Sequence, residues 1–168
     1  MNRIFLLLPF LYLITLNIAA QETDAGVISD TIVKLTTMVN CNGKKDGEAK
    51  KYYKNGKLKF SGFCEKGKQV GLGKNYYESG KIASTYNFKN GLPDGYIDTF
   101  YENGQLKTSI TYNENMKDGP YEEYYNTGQM RVFGYFKKDR RDGTFEIYDE
   151  GGELQQKQVY ENGRAVRD

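Results

Sequence analysis

The chain has 168 residues, with 24 Lys and Arg against 22 Asp and Glu, a formal net charge of +2. So near a balance excludes a binder that holds nucleic acid by a basic face. Histidine is absent and there are two cysteines, which excludes a Ser-His-Asp or Cys-His nucleophile, an imidazole zinc site and a four-cysteine site.

Met1-Asn2-Arg3 is a short basic start, and Ile4 to Ile18 is almost wholly apolar. Ala19-Ala20-Gln21 then offers small residues for cleavage. Residues 1–20 are expected to be a secretory signal peptide cut near Ala20. The rival, a retained membrane anchor, needs ~20 apolar residues, and Pro9 interrupts a shorter run. Residues 21–42 form an N-terminal arm. Within it the β-branched stretch Thr31 to Asn40 is expected to enter as a strand covering one edge of the sheet built by residues 43–168.

From Gly43 to the end, 43–168, the chain repeats itself every 24 residues. Glycine stands at Gly47, Gly71, Gly95, Gly119 and Gly143, and again at Gly56, Gly80, Gly104, Gly128 and Gly152. An aromatic recurs at Tyr52, Tyr76, Phe100, Tyr124 and Tyr148. A second ring follows at Tyr53, Tyr77, Tyr101 and Tyr125 and fails only at Asp149. A large aliphatic recurs at Leu58, Ile82, Leu106, Met130 and Leu154. A fixed period of this length is the signature of a repeat array. Only 38% of the residues are hydrophobic, but Tyr contributes 15 and Phe 9, and each ring covers much area while a hydroxyl stays wet.

Each unit divides into two strands. Asn55-Gly56 and its equivalents are hairpin signals, read as two-residue turns that place Tyr53 opposite Leu58, Lys51 opposite Phe60 and Ala49 opposite Gly62. Five-residue turns are expected between units, as in Gly91-Leu-Pro-Asp-Gly95. Their first place holds Gly67, Gly91, Asn115 or Asp139, residues that tolerate positive φ. Gly163 opens a sixth unit. The expected fold is all-β: an elongated antiparallel meander of five stacked β-hairpin repeats in one extended sheet.

That pairing sorts the side chains onto two faces. One carries Ala49, Tyr53, the Leu58 row, Ile97, Tyr121, Phe145 and the row Cys64, Phe88, Tyr112, Phe136, Tyr160, and is expected to be covered. The other carries the Tyr52 row among Lys50, Lys59, Asp98, Lys107, Glu122, Arg131 and Glu146.

Little here resembles chemistry. Glu78, Glu102 and Asp149 share one place in the repeat and read as solvated turn flanks. Gly71-Leu72-Gly73-Lys74 lacks the Gly-Lys-Ser/Thr of a phosphate loop. The basic run Lys137-Lys138-Asp139-Arg140-Arg141-Asp142 reads as a solvated loop, with anionic head groups as the alternative contact. An oxidising compartment invites Cys41 and Cys64 to pair. Two strand steps, ~9.6 Å, exceed the ~7 Å that a disulfide allows between Cα atoms. A buried free Cys64 is therefore the simpler reading, and pairing requires Cys41 to bend closer at its turn. The Tyr52 row (Tyr52, Tyr76, Phe100, Tyr124, Tyr148) is the candidate binding surface, with flattening of the sheet as its structural alternative. No metal, cofactor or catalytic residue is assigned.

The pattern Gly-Lys-x-Asp-Gly, then Tyr-Tyr-x-Asn-Gly, then Lys-Leu-Lys, then Tyr or Phe before Asn-Gly, resembles the bacterial MORN-variant repeat, closest to the YwqK-type antitoxin-like family. The resemblance covers Gly43 to Gly163. It departs at Val70-Gly71, where Asp precedes Gly elsewhere, and at Asp149-Glu150-Gly151. It implies stacked hairpins, attachment to a protein or a membrane surface, and no catalysis. The expected protein is thus an exported, non-catalytic binding scaffold, monomeric or joined edge to edge, whose partner is a protein or a cell-envelope surface and not nucleic acid. An antitoxin or immunity-type inhibitor and a carbohydrate-active or cell-wall-binding protein are the alternatives.

Overall fold

The computed structural model of the chain describes Cys41 and residues 45–166. The expected signal peptide, arm and entering strand lie outside the described residues. The described ones fold as a single antiparallel sheet with no helix among them. Its strands are β1 (Gly47–Tyr52), β2 (Leu58–Glu65), β3 (Lys68–Tyr76), β4 (Ile82–Lys89), β5 (Leu92–Phe100) and β6 (Leu106–Asn113). They continue as β7 (Met116–Tyr124), β8 (Met130–Lys137), β9 (Arg140–Arg141), β10 (Gly143–Tyr148), β11 (Leu154–Glu161) and β12 (Arg164–Ala165). Neighbours in sequence are neighbours in the sheet, except that β9 and β10 both pair with β8 as one interrupted strand. Among the described residues no pairing joins β1 to β12, so the sheet is open. β12 is the start of the sixth unit, paired to β11 through Tyr160–Ala165 and Glu161–Arg164.

The two kinds of connection differ from the expected ones, and the difference is an exchange. The Asn55-Gly56 loops are longer than two residues. Tyr53 N–H donates to the Lys57 carbonyl at 2.8 Å, and Gly56 N–H donates to the Tyr53 carbonyl at 3.0 Å. Lys54 and Asn55 therefore form a tight turn, and Gly56, at φ 81°, adds a third loop residue. The same bonds recur at Tyr77, Tyr101, Tyr125 and Asp149. The connections between units are shorter than five residues. Glu65 pairs with Lys68, Lys89 with Leu92 and Asn113 with Met116. Both intervening residues have positive φ, as in Asn90 (54°) and Gly91 (83°), or Glu114 (48°) and Asn115 (70°). This is the type I′ geometry that matches strand twist.

The second glycine of each expected turn lies at the start of a strand or inside one. Between the pairs Tyr86–Ile97 and Phe88–Pro93, the residues Asp94, Gly95 and Tyr96 face the single residue Asn87. Such a bulge bends the strand and needs one residue in the left-handed region. Gly95 takes that role at φ 99°, and a Cβ there would also stand 3.3 Å from Asn87 Cβ.

The third loop residue shifts register between Lys51 and Tyr52. Lys51–Phe60 and Ala49–Gly62 pair as expected, but Tyr52, not Tyr53, lies opposite Leu58. Most of the face expected to be covered is so: Phe60, Cys64, Tyr86, Phe88, Ile97, Tyr112, Tyr121, Phe136 and Phe145 are all buried, while Tyr53 is half-buried. The Leu58 row is not covered. Ile82 and Leu154 are exposed, and Leu58, Leu106 and Met130 are half-buried, because the shift carries this row to the flank beside the Tyr52 row.

Large rings fill the inner face by lying across small neighbours. Tyr121, Phe136, Phe145 and Tyr160 meet with centroids 5.4–6.5 Å apart, a geometry that contributes beyond the area removed from water. A Cβ on Gly134 would stand 2.5 Å from the Phe145 ring, and one on Gly62 would stand 2.7 Å from the Phe60 ring. Beside the rings runs a register of mostly polar residues from Asn75 through Ser84, Thr99 and Thr108 to Glu123. Thr99 and Thr108 hydroxyls share a 2.7 Å bond. Buried Glu123 accepts from Tyr121 Oη at 2.9 Å and pairs with Arg131 at 2.6 Å. Arg131 was expected on the opposite face. The register shift at Glu123/Tyr124 brings it to Glu123 and over the Tyr125 ring, 5.7 Å from its centroid. Lys59 and Lys107 sit likewise over Tyr53 and Tyr101.

Cys41 and Cys64 are joined by a disulfide, with Cα atoms 5.8 Å apart. The free-thiol reading is thereby corrected. It measured the separation along the hydrogen-bonding direction, as though Cys41 lay in the plane of the sheet. Cys41 instead packs with Ala49, Phe60 and Cys64 in one buried cluster on the inner face.

Candidate functional site

The outer face is ordered in rows that cross the strands. The Tyr52 row is on it, as expected. Tyr76 Oη lies 3.3 Å from Ser61 Oγ, Tyr124 Oη donates to Glu122 at 2.9 Å, and Tyr148 Oη donates to Glu146 at 2.8 Å. Tyr52 is 59% exposed, and Tyr76, Phe100, Tyr124 and Tyr148 are half-buried. Burial, followed by the bond to Glu122, pushes the Tyr124 hydroxyl up to about 12. The Tyr148 hydroxyl is raised chiefly by its bond to Glu146, and the Glu146 carboxyl is held low chiefly by the same bond.

A charged row runs beside the rings. Two residues ahead of each ring stand Lys50, Lys74, Asp98, Glu122 and Glu146. Register links them in one line across the sheet: Lys50–Ser61–Lys74–Thr85–Asp98, then Ser109–Glu122–Phe133–Glu146–Lys157. The first two units are basic here and the last three acidic. Lys50 bonds Glu48 at 2.8 Å and Lys157 bonds Glu146 at 3.1 Å.

A third row escaped the sequence analysis. Phe63, Leu72, Tyr96, Tyr135 and Val159 are apolar or aromatic and 38–55% exposed. The places equivalent to Tyr96 hold Leu72, Pro120 and Thr144, and those equivalent to Tyr135 hold Phe63, Asn87, Thr111 and Val159. Periodicity selects uniform positions, and these vary from unit to unit. Alternation from the buried residues on either side, Gly62 and Cys64 around Phe63 or Gly134 and Phe136 around Tyr135, was the available signal.

The second ring of each unit is half-buried and forms a seam between units. Tyr77 Oη donates to the Phe100 carbonyl at 2.6 Å, Tyr101 Oη to Tyr124 at 2.8 Å and Tyr125 Oη to Tyr148 at 2.9 Å. Tyr53 makes the same bond to Tyr76. Burial raises the Tyr77 and Tyr101 hydroxyls above the ordinary tyrosine range. Asp149 breaks the series and turns inward on its own loop, accepting from Gly151 N–H and Glu153 N–H at 2.9 Å each. Glu78 and Glu102 are exposed at their loops, Glu78 accepting from Asn55.

Among the described residues no group of three or more Cys, Asp and Glu side chains is placed to hold a metal ion. A depression of about 420 Å³ near β12, lined by Arg140, Glu161, Asn162, Arg164, Ala165 and Val166, contains one carboxylate.

Hairpins of one length, stacked through a repeated seam into one open sheet, define a repeat-array protein. The sequence model of the MORN repeat variant matches residues 45–63, 69–90, 94–114, 117–138 and 141–162, and the chain belongs to this family. A search among curated proteins returns no match. Fold and family together support a repeat-based binding scaffold.

Proposed function

We propose that the protein is an exported, non-catalytic scaffold of bacterial origin that engages a protein partner or a cell-envelope surface through its outer, Tyr-rich face. The observation that carries this reading is the outer face itself: a ring row, a charge row and an exposed apolar row lie parallel on one sheet. Phe63, Leu72, Tyr96, Tyr135 and Val159 bring exposed apolar groups to that face, and apolar surface rimmed by polar residues is what interaction sites present. Affinity is summed over units, and the ordered seam keeps their spacing. The disulfide supports export, because such bonds persist in oxidising compartments. It weighs against the cytoplasmic antitoxin that the YwqK-type resemblance suggests. The protein works as a monomer or joins a second copy edge to edge.

Capture of partners from a cell-envelope extract by the purified protein tests this reading. A Tyr76→Ala, Tyr124→Ala variant that keeps its strand signal in circular dichroism is expected to lose the captured partner. Equal capture by that folded variant removes the outer ring row as the contact surface. Fractionation of expressing cells tests export, and recovery in the cytoplasm overturns it.

A further inference from the structure

Resting on that scaffold reading, we propose that the track made by the Tyr52 row and its charge row binds an extended polypeptide in the polyproline conformation. That partner carries acidic residues over the first two units and basic residues over the last three, one at every third position.

Spacing is the first argument. Equivalent rings stand on every second strand, so successive rings are ~9.6 Å apart. A polyproline helix rises ~3.1 Å per residue with three residues per turn, and presents the same side every ~9.3 Å. One turn of partner therefore matches one unit of sheet. Rows of aromatic rings are the surface that such peptides dock on elsewhere, because the preformed helix loses little freedom on binding. It has no internal hydrogen bonds to break and can follow the twist of the sheet.

Charge decides the occupant. Along the equivalent places Lys50, Lys74, Asp98, Glu122 and Glu146 the charge changes sign once, between β3 and β5, and at the two ends Lys50 and Glu146 also pair with Glu48 and Lys157. A uniformly anionic ligand, whether nucleic acid or an acidic lipid surface, would meet three carboxylates on the track. A neutral glycan gains nothing from the ladder. A polypeptide alone can place an acidic block and a basic block at one spacing. Tyr124 and Tyr148 hold the Glu122 and Glu146 carboxylates from the same strand, so the acidic half is oriented before a partner arrives. From Tyr52 on β1 to Tyr148 on β10 there are eight strand steps, ~38 Å, which about twelve residues of polyproline helix span.

Labelled synthetic peptides test the proposal by fluorescence anisotropy with the purified protein. The probe is two Glu-Pro-Pro triplets followed by three Lys-Pro-Pro triplets. One control has the same triplets in alternating order, and another spaces the same charges at every second residue. The blocked peptide is expected to bind about tenfold or more tightly than either control, an advantage that added salt erodes. In the variant Asp98→Lys, Glu122→Lys, Glu146→Lys that advantage is lost and an all-acidic peptide of five Glu-Pro-Pro triplets binds instead. Glu122→Gln with Glu146→Gln, which keeps an acceptor for both tyrosines, is expected to lose part of it and serves if the triple variant does not fold. Equal affinity for blocked and alternating peptides, or binding by none of them, overturns the proposal. If no peptide binds while Tyr76→Ala with Tyr124→Ala still abolishes partner capture, the peptide assignment falls and the scaffold reading stands. If capture also persists, both fall.

Discussion

The two faces of this sheet are made from the same strands and the same period, and they obey different rules. On the inner face equivalent places are filled by interlocking choices. A large ring on one strand lies across a glycine on the next, as Phe145 does over Gly134, and a buried carboxylate has its arginine. On the outer face the Tyr52 row stays aromatic in every unit, but the places beyond it change freely, as Leu72, Tyr96, Pro120 and Thr144 do at one equivalent place. Burial couples neighbours, because a side chain in close packing answers to its contacts. Exposure releases them, and a released position is available for recognition.

Substitutions on the two faces should therefore separate cleanly. The largest loss is expected at the disulfide. Cys41→Ser with Cys64→Ala frees a segment closed across a sequence separation of 23, and should lower unfolding free energy in urea by about 3 kcal/mol. Wild-type stability in that variant would mean that the inner-face cluster holds Cys41 without the bond. Gly134→Ala comes next. Its Cβ falls 2.5 Å from the Phe145 ring, and overpacking of this kind costs about 1–3 kcal/mol. An unchanged melting temperature would show that the ring moves aside. Tyr101→Phe removes one seam bond and should cost about 1 kcal/mol; its partner is the Tyr124 carbonyl. An unchanged urea midpoint there would mean that water replaces the bond.

Alkaline titration is the fourth measure. Tyr124 ionises at about 12 in the fold against an ordinary tyrosine value of 10.0. An unfolded chain loses that proton first, so the stability held below pH 10 declines as pH rises towards 12. Tyr77, Tyr101 and Tyr121 are raised for the same leading reason, burial, and add to the decline. Tyr124→Phe should flatten that part of the curve. Last and smallest, Tyr96→Ser on the exposed row should change stability by under ~0.5 kcal/mol while weakening partner capture. A large loss of stability there would erase the contrast between the faces.

Much of the fold was legible because backbone constraints repeat. All ten periodic glycines have positive φ, and so do Asn115 and Asp139 where glycine gives way. What misled was where those residues act. Gly56 adds a loop residue and so sends Leu58 to the flank. Gly95 marks a bulge within β5 and not a turn. A positive φ is readable from residue type, but a turn, a bulge and a third loop residue make the same demand. The Tyr52 row was found because it is uniform. The Phe63, Tyr96 and Tyr135 row was not, because nothing in packing requires it to be.

The amino-acid sequence alone determined the period, the number of units and the alternation of strand and bend, since each depends on the intrinsic freedom of one or two residues. Tertiary structure alone decided the register, the partner of each tyrosine hydroxyl and the closure of Cys41 onto Cys64. Those depend on which strands lie side by side and on what stands above the plane of the sheet, and distance along a chain carries neither.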